Sequence, residues 1–139
     1  MSLPGTKLFF SWEVPNSKGA EMPKHALVVK AELTAELIDI AEQELSKLQS
    51  AVDGLIQPIE VGENIVMWVN EEGLLREDLN INYLATAIYR EMYDPVPPIM
   101  GDIVFTGGAD ENGNTKSLEQ ADIAELTEIT RRAKESLHI

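Results

Sequence analysis

Residues 55–73 read LIQPIEVGENIVMWVNEEG. Residues 55–61 and 65–69 are two runs rich in isoleucine and valine, side chains that suit a pleated, half-buried surface. The Gly62-Glu63-Asn64 between them has the length of a three-residue hairpin loop. Pro58 has no N–H to offer a ladder, which predicts that the first strand lies at a sheet edge or carries a bulge. Asn70-Glu71-Glu72-Gly73 is a second turn signal.

On the N-terminal side, Ala26-Leu27-Val28-Val29 is a further strand candidate. Thr34 can then cap a helix with Glu36 in its first turn. Leu37, Ala41, Leu45, Leu48 and Val52 recur at three- and four-residue steps, so an amphipathic helix is expected here, closed by Asp53-Gly54. Residues 6–14, TKLFFSWEV, read as a strand, and residues 15–24, PNSKGAEMPK, as a loop. Residues 1–5, MSLPG, are read as a leader and given no functional weight.

On the C-terminal side, Asn80 or Asn82 can cap a helix running to Met92, with Leu84, Ala85, Ile88, Tyr89 and Met92 on one face. Asp94-Pro95-Val96-Pro97-Pro98 stops it, because proline cannot continue the hydrogen-bond ladder. Residues 102–106 form a short strand. Ser117-Leu118-Glu119-Gln120 has capping-box spacing ahead of a last helix whose stripe is Leu118, Ala121, Leu126, Ile129, Ala133 and Leu137. No repeat or domain boundary interrupts the chain. The expectation is a single α+β domain over residues 1–139, with a mostly antiparallel sheet of about five strands packed with three helices.

A chain of 139 residues buries roughly 68–70% of its unfolded surface on folding, enough for one core without covalent staples. It has no cysteine, which excludes disulfides and thiolate zinc sites and fits a reducing compartment. No apolar run approaches the ~20 residues of a membrane-spanning helix, so no membrane partner is expected. The net charge of −13, from 24 acids and 11 bases, repels a phosphate backbone, so direct nucleic-acid binding is not expected either. The densest basic stretch, Arg131-Arg132-Ala133-Lys134, stands at a helix end, where cations complement the dipole.

The chemical inventory is thin. Residues 107–117, GGADENGNTKS, follow a strand and precede a helix, as a phosphate loop does. However, Asn114 stands where that motif needs lysine, and Asp110 and Glu111 would repel phosphate. Asp110, Asn112 and Asn114 have the alternating spacing that opens a calcium loop and are the metal candidates of this loop, as Glu71 and Glu72 are outside it. Thr115 and Ala121 stand where that motif needs glycine and a bidentate acid, so the loop is read first as a turn. His25 follows a proline-rich loop and His138 is next to the C-terminus; neither is expected to be held rigidly enough for general-base work. No catalytic residue and no cofactor is assigned.

Five residues are candidates for a partner surface. Glu71 and Glu72, adjacent acids at a turn, read as solvated unless burial separates their pKa values. Val66 and Trp68 share one face of their strand, which is either an exposed partner surface or a face covered by a helix, and Trp12 poses the same choice.

The ordered set Leu55-Ile56-Gln57-Pro58-Ile59, Trp68-Val69-Asn70-Glu71-Glu72-Gly73, Leu79-Asn80-Ile81-Asn82 leading into Ala85-Thr86-Ala87, and Gly101-Asp102-Ile103-Val104-Phe105-Thr106-Gly107-Gly108 resembles an uncharacterised family of small proteins carried by bacteriophages, plasmids and other mobile elements. The similarity covers roughly residues 26–130, and residues 6–24 lie beyond it. The resemblance implies a mobile-element origin and the cytoplasm of a bacterial host, and it brings no activity or catalytic residue to carry over. Together with the thin inventory it points to a non-enzymatic accessory protein that acts by protein–protein interaction, on an unknown host or phage protein, or by self-association as a homodimer. One alternative is an acidic decoy that mimics nucleic acid toward a host defence or replication enzyme. Another is a small-ligand or metal-binding protein that uses the 107–115 loop with Glu71 and Glu72.

Overall fold

A computed structural model describes residues 22–62, 64–92 and 98–139. The expected strand over residues 6–14 with its Trp12, most of the loop over 15–24, and the proline-rich stop at residues 94–97 lie outside the described residues. Within them the chain forms β1 (His25–Lys30), β2 (Thr34–Asp39), α1 (Glu44–Val52), β3 (Ile56–Glu60), β4 (Ile65–Asn70), α2 (Tyr83–Met92), β5 (Ile103–Gly107) and α3 (Gln120–Ser136). The five strands make one antiparallel sheet in the order β2-β1-β5-β4-β3, so the single-domain α+β reading holds.

The hairpin expected over residues 55–69 is present as β3 and β4, in a register that opposes Pro58 to Trp68 and Ile59 to Met67. β3 lies at the sheet edge, as Pro58 predicts. The backbone N–H of Val61 donates to Ile65 O at 3.0 Å, and that of Glu71 to Leu55 O at 2.8 Å. In an antiparallel pair, hydrogen-bonded and non-hydrogen-bonded positions alternate, so Ile56, Pro58 and Glu60 turn their backbone groups to the free edge. Proline thus sits where its missing N–H costs the ladder nothing.

Where a helix was expected from Thr34, the chain first forms a strand. β2 pairs with β1 along its whole length, from Lys30 opposite Thr34 to His25 opposite Asp39. The link is a three-residue loop in which Leu33 N donates to Lys30 O at 2.8 Å and Leu33 adopts φ 74, the left-handed residue that closes such a turn. Asp102 Oδ1 accepts the Ala31 N–H at 2.8 Å and ties this loop to the start of β5. Ala35 and Leu37 are buried while Glu36 is exposed, the period of a strand. Helix begins only at Glu44, after Gln43 in the left-handed region (φ 61), and ends at Asp53 (φ 63). Leu45 is consequently 58% exposed, while Leu48 and Val52 carry the packing.

The strand period splits the apolar residues between two cores. On one face, Leu27, Val29, Met67, Ile103 and Phe105 pack against Leu84 and Ile88 of α2 and Leu126 and Ile129 of α3. On the other, Ala26, Val28 and Val104 pack against Leu48 and Val52 of α1, with Ile38, Ile56 and Trp68 at the margin. Central β5 is buried at all five positions because both faces are covered.

α3 also starts later than the Ser117 spacing suggests. Ser117 Oγ accepts the His25 N–H at 2.8 Å instead. The N-cap is Glu119, whose N–H donates to Asp122 Oδ2 at 3.3 Å.

Candidate functional site

The residues that carry the family resemblance are engaged in the architecture. Asn70 is buried; its Nδ2 donates to Val52 O at 3.0 Å and Asp53 O at 3.2 Å, capping the carbonyls at the end of α1, while its Oδ1 accepts the Glu72 N–H at 2.8 Å. Asn82, fully buried, is the helix cap rather than Asn80. Its Oδ1 accepts the Ala85 N–H at 2.8 Å, and its Nδ2 donates to Val29 O of β1 at 2.9 Å and Gly101 O at 2.8 Å. Gly101 has φ 78, and a Cβ on Gly107 would come within 2.6 Å of Ser117 O and 2.8 Å of Lys116 O. Glycine is therefore required at 107 because the returning chain lies against it.

That returning chain is the second half of GGADENGNTKS. Gly107 N donates to Lys116 O at 2.9 Å, Lys116 N to Gly108 O at 2.8 Å and Asp110 N to Asn114 O at 2.8 Å, and Ala109 bridges Thr115. The stretch is a short β-ribbon with a turn at its tip. Asp110 Oδ1 accepts the N–H groups of Asn112 at 2.8 Å and Asn114 at 2.9 Å, stabilising that turn, while the Asn112 and Asn114 side chains are exposed. Among the described residues, no three histidine, cysteine or acidic side chains are grouped to hold a metal ion.

Trp68 and Val66 lie on the face that α1 covers. Trp68 is half-buried, and its Nε1–H donates to Thr106 Oγ1 at 2.8 Å. The helix-covered arrangement is thus the one found. Glu71 and Glu72 are exposed just after β4. Because Ile65 opposes Gly107 and Trp68 opposes Val104, these acids and the 107–117 ribbon stand at opposite ends of the sheet, so they do not form one site.

His25 differs from expectation, being held within β1 opposite Asp39 rather than loosely placed. Burial lowers its pKa, against the raising pull of the Asp39 charge. At Asp39, burial raises the pKa, but the N–H groups of Lys24 and Ala41 and the charges of Lys47 and His25 outweigh it, so the net direction is down. The 131–134 stretch behaves as a helix-end cation cluster: Arg131 pairs with Glu128 and Glu135, and Arg132 with Glu91 and Glu128.

A feature that no motif marked is a groove of about 310 Å³ at the β3 corner of the sheet, lined by Ile59, Val69, Tyr89 and Ile99, with Leu74 and Glu71 at the turn side. The turn after β4 builds its rim. Gly73 N donates to Asn70 O at 3.0 Å, and Leu75 N and Arg76 N to Glu72 O at 2.9 and 3.0 Å. This single helical turn leaves Leu74 67% and Leu75 83% exposed. Arg76 is held between Asp53 at 2.9 Å and Asp78 at 2.6 Å; its hydrogen bonds, first to Asp78 and then to Asp53, raise its pKa, and it lowers that of Asp78. The readable signal was the leucine pair within EEGLLRED, apolar residues placed in a turn rather than in a periodic element.

Comparison with known proteins adds one positive finding. Residues 23–131 match the model of a family described as a domain of unknown function, DUF3846. No curated protein and no solved structure matches the chain.

Proposed function

The chain belongs to the DUF3846 family, a domain of unknown function, and from that premise we propose that it is a non-enzymatic accessory protein of a phage or mobile element that acts by holding a second protein in the groove beside β3. The observation that carries the reading is the adjacent pair Leu74 and Leu75, 67% and 83% exposed, at the rim of that apolar groove. Scattered surface leucines need no explanation, but two neighbours bordering a concavity lined by Ile59, Val69, Tyr89 and Ile99 form a patch of the kind that marks an interaction surface. The backbone bonds from Gly73, Leu75 and Arg76 hold the main chain of this turn, so little backbone entropy is lost on docking.

The test compares wild-type protein with Leu75→Glu by affinity capture from bacterial host lysate and by sedimentation. Leu75 is exposed, so the variant should melt within about 1 kcal/mol of wild type. A protein captured by wild type and lost from Leu75→Glu, or a wild-type dimer that the substitution makes monomeric, supports the reading. Equal capture by both, with a wild-type monomer, sinks it.

A further inference from the structure

Resting on that reading, we propose that the occupant of the groove is a short basic segment of a partner protein that inserts neighbouring apolar side chains and flanks them with lysine or arginine. The groove's volume of about 310 Å³ sits at the lower limit of the roughly 300–1,000 Å³ of small-molecule sites, a scale suited to a few side chains. Of its polar lining groups, Gln57 and Glu71 are exposed to solvent, while Ile59, Val69 and Ile99 make its apolar wall. The one buried amide there, Asn70, spends both donors on Val52 O and Asp53 O and accepts from Glu72 N. Apolar anchors seated in such a pocket, with a polar rim excluding water, are the usual energetic centre of a protein interface.

The segment that borders the groove, with Glu71 in its lining and the other acids just beyond, sets the sign of the partner's charge. Residues 71–78 carry four acids, Glu71, Glu72, Glu77 and Asp78, against the single cation Arg76. Arg76 is already paired with Asp53 and Asp78, whereas among the described residues no lysine or arginine pairs with Glu71, Glu72 or Glu77. With a net charge of −13 behind it, this segment attracts a cationic flank and rejects an acidic one. The free edge of β3 argues against an added strand, since Pro58 withholds the middle outward N–H that a partner strand would need. Recognition is therefore by side chains in the groove.

A random short-peptide display library is selected on immobilised wild-type protein, and the enriched peptides are measured by fluorescence anisotropy against wild type, Leu75→Glu and the charge reversal Glu71→Lys/Glu72→Lys, at about 50 and about 500 mM salt. Apolar pairs flanked by lysine or arginine should be enriched. Their affinity should fall about tenfold or more with Leu75→Glu and severalfold at high salt, and the charge reversal should prefer acid-flanked peptides. Enrichment of neutral or acidic peptides that still need Leu75 overturns the basic occupant and leaves the groove reading standing. Peptides indifferent to Leu75→Glu, or no enrichment at all, overturn the peptide-docking proposal, and the capture experiment then decides the broader reading separately.

Discussion

At the scale of single residues, Asn82 shows how much one side chain can hold. Its amide joins the end of β1, the segment at Gly101 and the first turn of α2, with both donors and its acceptor oxygen engaged in a fully buried site. Asn82→Asp keeps the acceptor but turns a carboxylate toward the carbonyls of Val29 and Gly101. It should destabilise by about 3 kcal/mol or more at pH 7. The deficit should shrink as pH falls through the variant acid's raised folded-state pKa toward the unfolded value of about 3.9, because the protonated acid can donate to one carbonyl. Denaturant melts of both proteins across that range check it; a pH-independent gap would mean that the charge is not the cause. The sequence alone left Asn80 and Asn82 as equal caps, because cap chemistry is the same for both and only burial separates them. The same limit applies to Trp68, whose face was readable from the strand period but whose covering helix was not.

At the scale of elements, the hairpin of β3 and β4, the edge position announced by Pro58, and α2 were legible because each has a local cause: turn residues, a missing N–H, a cap. β2 was not. In TAELID the apolar residues Ala35, Leu37 and Ile38 fit a helical stripe and a strand alternation equally, and the pairing with β1 decided between them. The strained entry to α1 is the trace of that conflict, since Gln43 adopts φ 61 without a side-chain capping bond. A left-handed residue with a Cβ costs roughly 1–2 kcal/mol relative to glycine, part of which is offset by glycine's greater freedom in the unfolded chain. Gln43→Gly is expected to stabilise by about 0.5–1 kcal/mol, read as a higher urea midpoint at unchanged slope. A lower midpoint would show that the exposed glutamine contributes something beyond its backbone.

At the scale of the whole molecule, stability should fall with acidification in two windows. Burial disfavours the charged form of His25 in the folded state, so the unfolded chain binds its proton more readily. The neutral-histidine contribution is complete above the ordinary value of 6.5 and is lost as pH drops below it. Asp39, whose net shift is downward, adds a loss only below about 3.8. Melting temperature should therefore decline between pH 7 and 5, and His25→Gln should flatten that slope; an unchanged slope in the variant assigns the effect elsewhere. The acidic balance, the absence of cysteine and the α+β class were legible from composition and pattern. The sheet order and the groove were not, since both depend on which distant strands meet.

That strand order also imposes a schedule on folding. β1 with β2 and β3 with β4 are two local hairpins that share no ladder, and β5, the last strand made, joins them by pairing Leu27 with Phe105 and Met67 with Phe105. A chain emerging from the ribosome can form either hairpin early, but each lacks its inner neighbouring strand until Phe105 has emerged. Joining them requires closure of a long loop. While residues 71–102 are being made, the two hairpins therefore stand unjoined, and the sheet becomes continuous only once β5 is available.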